Sequence, residues 1–275
     1  MTKTIYVHDK ARIEAFLRRD PILHMFGLGD LDDFYWPYTS WYGLEDNNEI
    51  QQLVLTYIDA PNLVLMALTN ERPEQMRQLL ESIIHLLPKQ LYVHLSPGLA
   101  DVLATAYHLH PHGKFIKMAL NNSVGLSKVN TSAGTQLTIE DLPKIERFYQ
   151  ESYPENVFNK RMLQTGQYFG VCQDGRLLGI AGIHVYSPQY RVAVLGNIAT
   201  HPDFRRQGVA TAVTARLCQS LKKTVDHIGL LVQADNASAI ACYTKLGFVQ
   251  HSTVEVYSLE GNEPVAWVLR AFRVG

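Results

Sequence analysis

The sequence predicts an α/β protein of mixed strands and helices, built as two units of similar size. Three observations predict it. Strand-like and helix-like patterns alternate in both halves. Between the halves, Ser127-Lys-Val-Asn-Thr-Ser-Ala-Gly134 is polar and carries no helical stripe, which marks a linker. In the second half an apolar strand enters a helix through a glycine-bearing turn. The expected domains are residues 1–130 and 131–275. A chain of 275 residues, 47% of them hydrophobic, can bury one large core or two smaller ones.

In the first unit, Val54 to Tyr57 and Leu63 to Leu68 read as strands. They are followed by a helix that Pro73 starts and that reaches Leu87, a strand from Leu91 to Leu95, a helix from Leu99 to Leu109 and a strand from Phe115 to Leu120. In the second unit, Gln136 to Ile139 begins a strand. Glu140 to Ser152 predicts a helix with Leu142, Ile145, Phe148 and Tyr149 inward, and Phe158 to Thr165 a further helix. Strands are expected at Gln167 to Gln173 and Leu177 to Val185, with Asp174-Gly175 as their hairpin turn. A strand from Val192 to Ala199, a helix after Gly208, a strand from Ile228 to Val232 and a helix around Tyr243 follow. Final strands are expected near Val249 to Leu259 and Val265 to Arg273.

The turn at the end of the Val192 strand reads Arg205-Arg206-Gln207-Gly208-Val209-Ala210, and Val209, Val213, Leu217 and Leu221 form one stripe of the helix that it opens. Backbone N–H groups at a helix start have no intrahelical acceptor, so such a turn binds anions, and the helix dipole adds roughly 0.3–1 kcal/mol in the same sense. Gly208 lets an anion approach the main chain without meeting a Cβ. Further on, Val232 to Phe248 reads as a strand end, an Asp/Asn cap, a short helix and a glycine stop. Asn236, Ala239 and Tyr243 share one face of that helix, Asn236 lying roughly 10 Å from Tyr243 along the axis.

This pair of motifs resembles the signature of the GNAT N-acetyltransferase superfamily, Arg/Gln-x-x-Gly-x-Gly/Ala followed by Asn-x-x-Ala-x-x-x-Tyr-x-x-x-Gly-Phe. Both are complete here, as Arg205, Gly208 and Ala210, then Asn236, Ala239, Tyr243, Gly247 and Phe248. The resemblance covers about residues 135–275 and implies an acyl-CoA N-acyltransferase whose donor is acetyl-CoA or another short acyl-CoA, with no metal. It implies that Arg205, Arg206, Gln207, Gly208, Val209, Ala210 and Thr211 cradle the pyrophosphate, that main-chain groups of Ile198, Ala199 and Thr200 bind the pantetheine arm, and that Asn236 also belongs to the cofactor site. Tyr243 is the implied general acid for the departing thiolate, with packed helical tyrosine as its bland alternative. The first unit resembles the N-terminal half of tandem GNAT proteins of the glycine N-acyltransferase type. Such a half has the fold without the cofactor site, and here Thr69-Asn-Glu-Arg-Pro73 has neither a glycine nor the loop motif.

The base is not legible, because Arg191 to Ala199 contains no carboxylate. A water chain, a distant residue such as Glu255, or an amine that arrives neutral all stay open. A small-molecule amine or amino acid is preferred as acceptor over a protein lysine, since no charged peptide groove is legible. The competing function is a non-catalytic acyl-CoA sensor or scaffold, against which Tyr243 weighs, because a binder needs Asn236 and the loop but no acid.

Other candidates have bland and sharp readings. Asp30 to Tyr42 holds six aromatic residues and two of the three tryptophans. In the first unit it reads as a loop packed by its own aromatic side chains or an inter-domain contact, or more sharply as an acceptor pocket in which Asp32 or Asp33 attracts an ammonium group over aromatic faces. His108, His110 and His112 surround Pro111 near an expected helix end and read as a solvated turn rather than a metal site. His201 reads as loop-shaping, whereas His184, on a strand, either packs or faces the substrate. Cys172, Cys218 and Cys242 have no metal-ligand spacing, and Cys242 points away from Tyr243 on the helix, which argues against an acyl-cysteine. A net charge of −1 provides no drive toward nucleic acid or membrane, and the absence of a signal-peptide core points to the cytoplasm. Oligomeric state is not legible.

Overall fold

A computed structural model describes residues 2–58 and 63–262. Its first elements are β1 (Lys3–Tyr6), α1 (Lys10–Leu17), α2 (Met25–Asp30), β2 (Thr39–Asp46), β3 (Glu49–Ile58) and β4 (Leu63–Ala67). Then come α3 (Pro73–Ile83), β5 (Gln90–Leu95), α4 (Ala100–Ala104), β6 (Tyr107–Leu120) and α5 (Val124–Ser127). The remainder is β7 (Gly134–Gln136), α6 (Leu142–Ser152), β8 (Phe169–Gln173), β9 (Arg176–Ser187), β10 (Val192–Thr200), α7 (Val209–Leu221), β11 (His227–Gln233), α8 (Ala237–Leu246) and β12 (Phe248–Gly261). The strand expected at Val265 to Arg273 lies outside the described residues.

The chain forms two compact units, but a cut at residue 130 does not divide them. Unit 1 comprises Met1–Phe16, Tyr38–Lys114 and Thr253–Gly275, and unit 2 comprises Leu17–Pro37 and Phe115–Ser252. The divisions fall inside β6 and β12, so each of these two strands has part of its length in each unit. In unit 1 the strands pair in the order β1, β2, β3, β4, β5, β12, all antiparallel except β4 with β5. In unit 2 the order is β7, β8, β9, β10, β11, β6, again antiparallel except for β10 with β11. The same plan therefore occurs twice, with α3 crossing over between β4 and β5 and α7 between β10 and β11.

Local chemistry explains the elements. Pro73 opens α3, and Met76, Leu79, Leu80 and Ile83 form its buried stripe over the unit 1 core of Leu65, Leu91, Val93 and Leu95. In unit 2, Ile145, Phe148 and Tyr149 of α6 and Val213, Leu217 and Leu221 of α7 join one core with Ile180, Ile183, Leu195 and Leu230. Asp174 and Gly175 both have positive φ, 50° and 77°, as the tight β8–β9 hairpin demands. Two helices differ from expectation. Residues 160–165 form a 3-10 turn, capped by Asn159 and closed by Gly166 at φ 67°. The helix expected from Leu99 to Leu109 stops at Ala104, since β6 already begins at Tyr107.

Candidate active site

The site begins where β10 and β11 part. Their parallel register joins Val192 to His227 and runs to Leu195 opposite Leu230. Beyond that point β11 continues to Gln233 against β6, while β10 continues to Thr200 without a partner on that side. The departure follows from an extra residue in β10 between Gly196, opposite Gly182, and Ala199, opposite Ile180. Asn197 absorbs it at φ 53°, a conformation that asparagine tolerates better than most residues. Its carbonyl and side-chain amide are engaged. The Tyr149 hydroxyl donates to Asn197 O (2.7 Å), Asn197 Nδ2 donates to the Tyr168 hydroxyl (2.9 Å), and Val157 N donates to Asn197 Oδ1 (3.3 Å). Burial raises the pKa of both tyrosines, which keeps them protonated. Ile198, Ala199 and Thr200 stay partly exposed on the parted edge, and the Thr200 hydroxyl is buried without a hydrogen-bond partner.

The turn after β10 is shaped by its own side chains. His201 Nδ1 accepts from Asp203 N (3.3 Å), capping a 3-10 turn over Pro202–Phe204, and its Nε2 lies 2.7 Å from Arg176 Nη2. The loop-shaping role expected of His201 is the one it has. Arg206 (φ 62°) and Gly208 (φ 83°) turn the chain into α7. A Cβ on Gly208 would meet no atom within 4 Å, so the backbone angle, not crowding, calls for glycine there. Ala212 N bonds Gly208 O (2.9 Å), which leaves the N–H groups of Val209, Ala210 and Thr211 without acceptors inside the helix. The exposed side chains of Arg205 and Arg206 stand at this positive helix end, while Gln207 Nε2 donates to Asp203 O (3.2 Å). An open turn, orphan N–H donors and two cations suit a pyrophosphate.

In α8, Asn236 is the N-cap, its Oδ1 accepting from Ala239 N (3.1 Å) and from Ser238 Oγ (3.0 Å). Gly247 at φ 102° ends the helix. Tyr243, 9% exposed, packs against Phe248 with the rings tilted and their centroids 5.9 Å apart, and burial raises its pKa, so its hydroxyl carries a proton at neutral pH. Cys242 instead turns to α7, with Sγ 3.3 Å from Thr211 Oγ1 and its thiol pKa raised by burial.

Other candidates fall elsewhere. Asp30 to Tyr42 is not one loop of the first unit. Asp30 ends α2, Trp36–Tyr38 is a 3-10 turn, Thr39 begins β2, and the stretch through Pro37 belongs to unit 2. Asp32 accepts from Ser187 Oγ (2.7 Å) and Phe34 N (3.1 Å), and Arg161 lies 4.3 Å over the Phe34 ring. The chain supplies its own partners for the acid and the aromatic face. Glu255 sits in unit 1 on β12, where the Tyr257 hydroxyl donates to it (3.3 Å), outside the unit that holds the turn. His108, His110 and His112 lie on β6 rather than on a turn, with His112 bonded to Ser258 (3.0 Å) and its ring tilted against Tyr92. Among the described residues no cluster of three or more His, Cys, Asp or Glu could hold a metal ion.

Sequence reasoning missed Asn197, whose only local signal is an asparagine inside an otherwise apolar strand. It also missed Lys117, buried on β6 opposite Leu231, with Nζ donating to Leu23 O. Burial lowers its pKa to about 7, against the pull of Asp20.

Residues 135–248 match the acetyltransferase (GNAT) family. The [ribosomal protein bS18]-alanine N-acetyltransferase of Escherichia coli K12 is 33% identical over 125 residues, which are 44% of this chain and 81% of that protein. A Drosophila protein solved by X-ray crystallography superposes with a TM-score of 0.72 at 12% identity, over 94% of this chain and 99% of its own. A tandem GNAT protein from the clavulanic acid biosynthesis pathway does so with a TM-score of 0.59 at 12% identity, over 96% and 99%. At those identities the two structures are likenesses of fold. The chain belongs to the GNAT family of acetyltransferases, which take acetyl-CoA as acyl donor and act on amine acceptors. No described helix is long and apolar enough to cross a membrane.

Proposed function

We propose that unit 2 is an acetyl-CoA-dependent N-acyltransferase that moves a short acyl group to the amine of a small molecule or amino acid by direct attack, and that unit 1 has the fold without the cofactor site, as in the glycine N-acyltransferase-type arrangement. The observation that carries this reading is the parting of β10 from β11 beside the open start of α7. In this reading residues 205–211 hold the pyrophosphate, the N–H groups of Val209, Ala210 and Thr211 donating to it, and the parted edge at Ile198, Ala199 and Thr200 holds the pantetheine arm. A backbone N–H on that edge stabilises the oxyanion, an effect often worth about 2.7–4 kcal/mol. Asn236 fixes the start of α8, and Tyr243, kept protonated by burial, gives its proton to the departing thiolate, a role typically worth about 10²–10⁴-fold.

For unit 1, support comes from β4 and β5, which stay paired through Ala67 and Leu95, and from a turn that ends in Pro73, which has no N–H to offer. The decisive assay is acetyl-CoA with a panel of small amines, amino acids and lysine-containing peptides, followed by free thiol. Turnover with small amines is expected. Tight acetyl-CoA binding with no thiol released in any mixture would make the protein a sensor or scaffold instead.

A further inference from the structure

The parted strand lies beside a second irregularity. Along β9, Val185 pairs with Val194 and Ile183 with Leu195, so His184 between them has no partner residue on β10. It is the extra residue of a bulge, a device that re-aims a side chain. The residue keeps partial exposure, and its ring lies over Gly196, the last paired residue before the Asn197 bulge. A Cβ on Gly196 would come well inside 3.0 Å of three ring atoms, so only glycine at that position leaves the imidazole its place. On its other side the ring stacks on Phe26 of α2, with centroids 6.2 Å apart. Among the described residues no hydrogen bond or ion pair holds either ring nitrogen. A histidine kept only for packing has no need of a bulge and a tailored glycine to set it, unpartnered, beside the strand that the acyl group must reach.

Resting on the N-acyltransferase reading, we propose that His184 is the catalytic base, taking the proton of the acceptor amine as it attacks. The nitrogen lone pair forms the C–N bond to the thioester carbonyl carbon, and the N–H proton passes to a ring nitrogen of His184. The C–S bond breaks with its electrons on sulfur, which takes the Tyr243 proton, and exchange with water returns His184 and Tyr243 to their starting forms. Burial lowers the His184 pKa to about 4, so the ring is neutral and open to a proton at neutral pH. So weak a base serves because the proton becomes far more acidic once its nitrogen bonds to the carbonyl carbon.

The test compares wild type, H184Q and H184A in the thiol-release assay on the amine panel, with acetyl-CoA affinity measured by calorimetry. H184Q is expected to keep its acetyl-CoA affinity and lose about 10²-fold or more in kcat, and added imidazole should restore turnover to H184A but not to H184Q. Wild-type kcat in H184Q overturns the assignment, as does a loss of acetyl-CoA affinity matching the loss of turnover, or a failure of imidazole to rescue H184A. Those three results leave the enzyme reading standing. Wild-type protein that binds acetyl-CoA and releases no thiol with any amine removes both together.

Discussion

The two crossovers of this protein, β4 to α3 and β10 to α7, follow one plan and end differently. In unit 1, β4 and β5 stay in register over all five residues from Leu63 to Ala67, and Ser96 N then bonds Ala67 O (3.0 Å). The turn that follows is occupied with itself. Glu71 N donates to Thr69 Oγ1 (3.2 Å), Gln52 Nε2 donates to Glu71 O (3.0 Å), and Pro73 opens the helix. In unit 2, pairing ends at Leu195 ahead of the Asn197 bulge, and the N–H groups of Val209, Ala210 and Thr211 at the start of α7 have no acceptor inside the helix. A strand, a turn and a helix are therefore not a site. What differs is one extra residue in a strand and the donors that the turn keeps free.

The largest effect should come from closing the open turn. Gly208→Glu sets a carboxylate where phosphates would lie and forces a side chain to φ 83°, a strain of about 1–2 kcal/mol. Acetyl-CoA binding is expected to vanish in calorimetry, and unchanged affinity in a folded variant would remove the turn from the site. Tyr243→Phe comes next. The ring fills the same space, so acetyl-CoA affinity should hold while kcat falls by roughly 10²-fold or more. A weaker dissociation constant at unchanged kcat would instead make Tyr243 a binding side chain.

A third prediction concerns what each unit buries. Where β12 buries Val254, Val256 and Leu259, β6 buries Lys117 beside Met118. Native Lys117 loses its proton near pH 7, against about 10.5 in the unfolded chain. Between those values the unfolded state binds one more proton, so this group makes stability rise with pH by up to about 1.4 kcal/mol per unit. Urea unfolding from pH 7 to 9.5 should show the wild type gaining on Lys117→Met across the window, and parallel curves would mean that the lysine titrates normally. The smallest effect is expected in unit 1, where Arg72→Glu, at the turn that corresponds to Gly208, should leave acetyl-CoA affinity unchanged. A clear loss would show that unit 1 binds the donor too, and the contrast between the crossovers would fall.

Much of the candidate site was legible because its determinants are local. The φ of Gly208, the cap at Asn236, the glycine stop at Gly247 and the turn at Asp174-Gly175 depend on neighbours a few residues away, and residue type reports them directly. The N-terminal stretch was much less so. Nothing local in β1, α1, α2 or β2 says that Leu17–Pro37 packs in one unit and its flanks in the other.

By itself, then, the sequence determined the α/β class, the motifs of the second unit, and a first unit without the loop motif. Only the tertiary structure decided where β10 leaves β11, which residue of β9 bulges beside the parted strand, and which strand completes the order in each unit. The physical reason is that pairing and register are settled between segments far apart in the chain. An apolar run broken only by Lys117 identifies Phe115 to Leu120 as a strand but says nothing about whether its neighbour is β5 or β11. His184 likewise looks like any half-buried strand residue until Gly196 and Phe26 are brought against it.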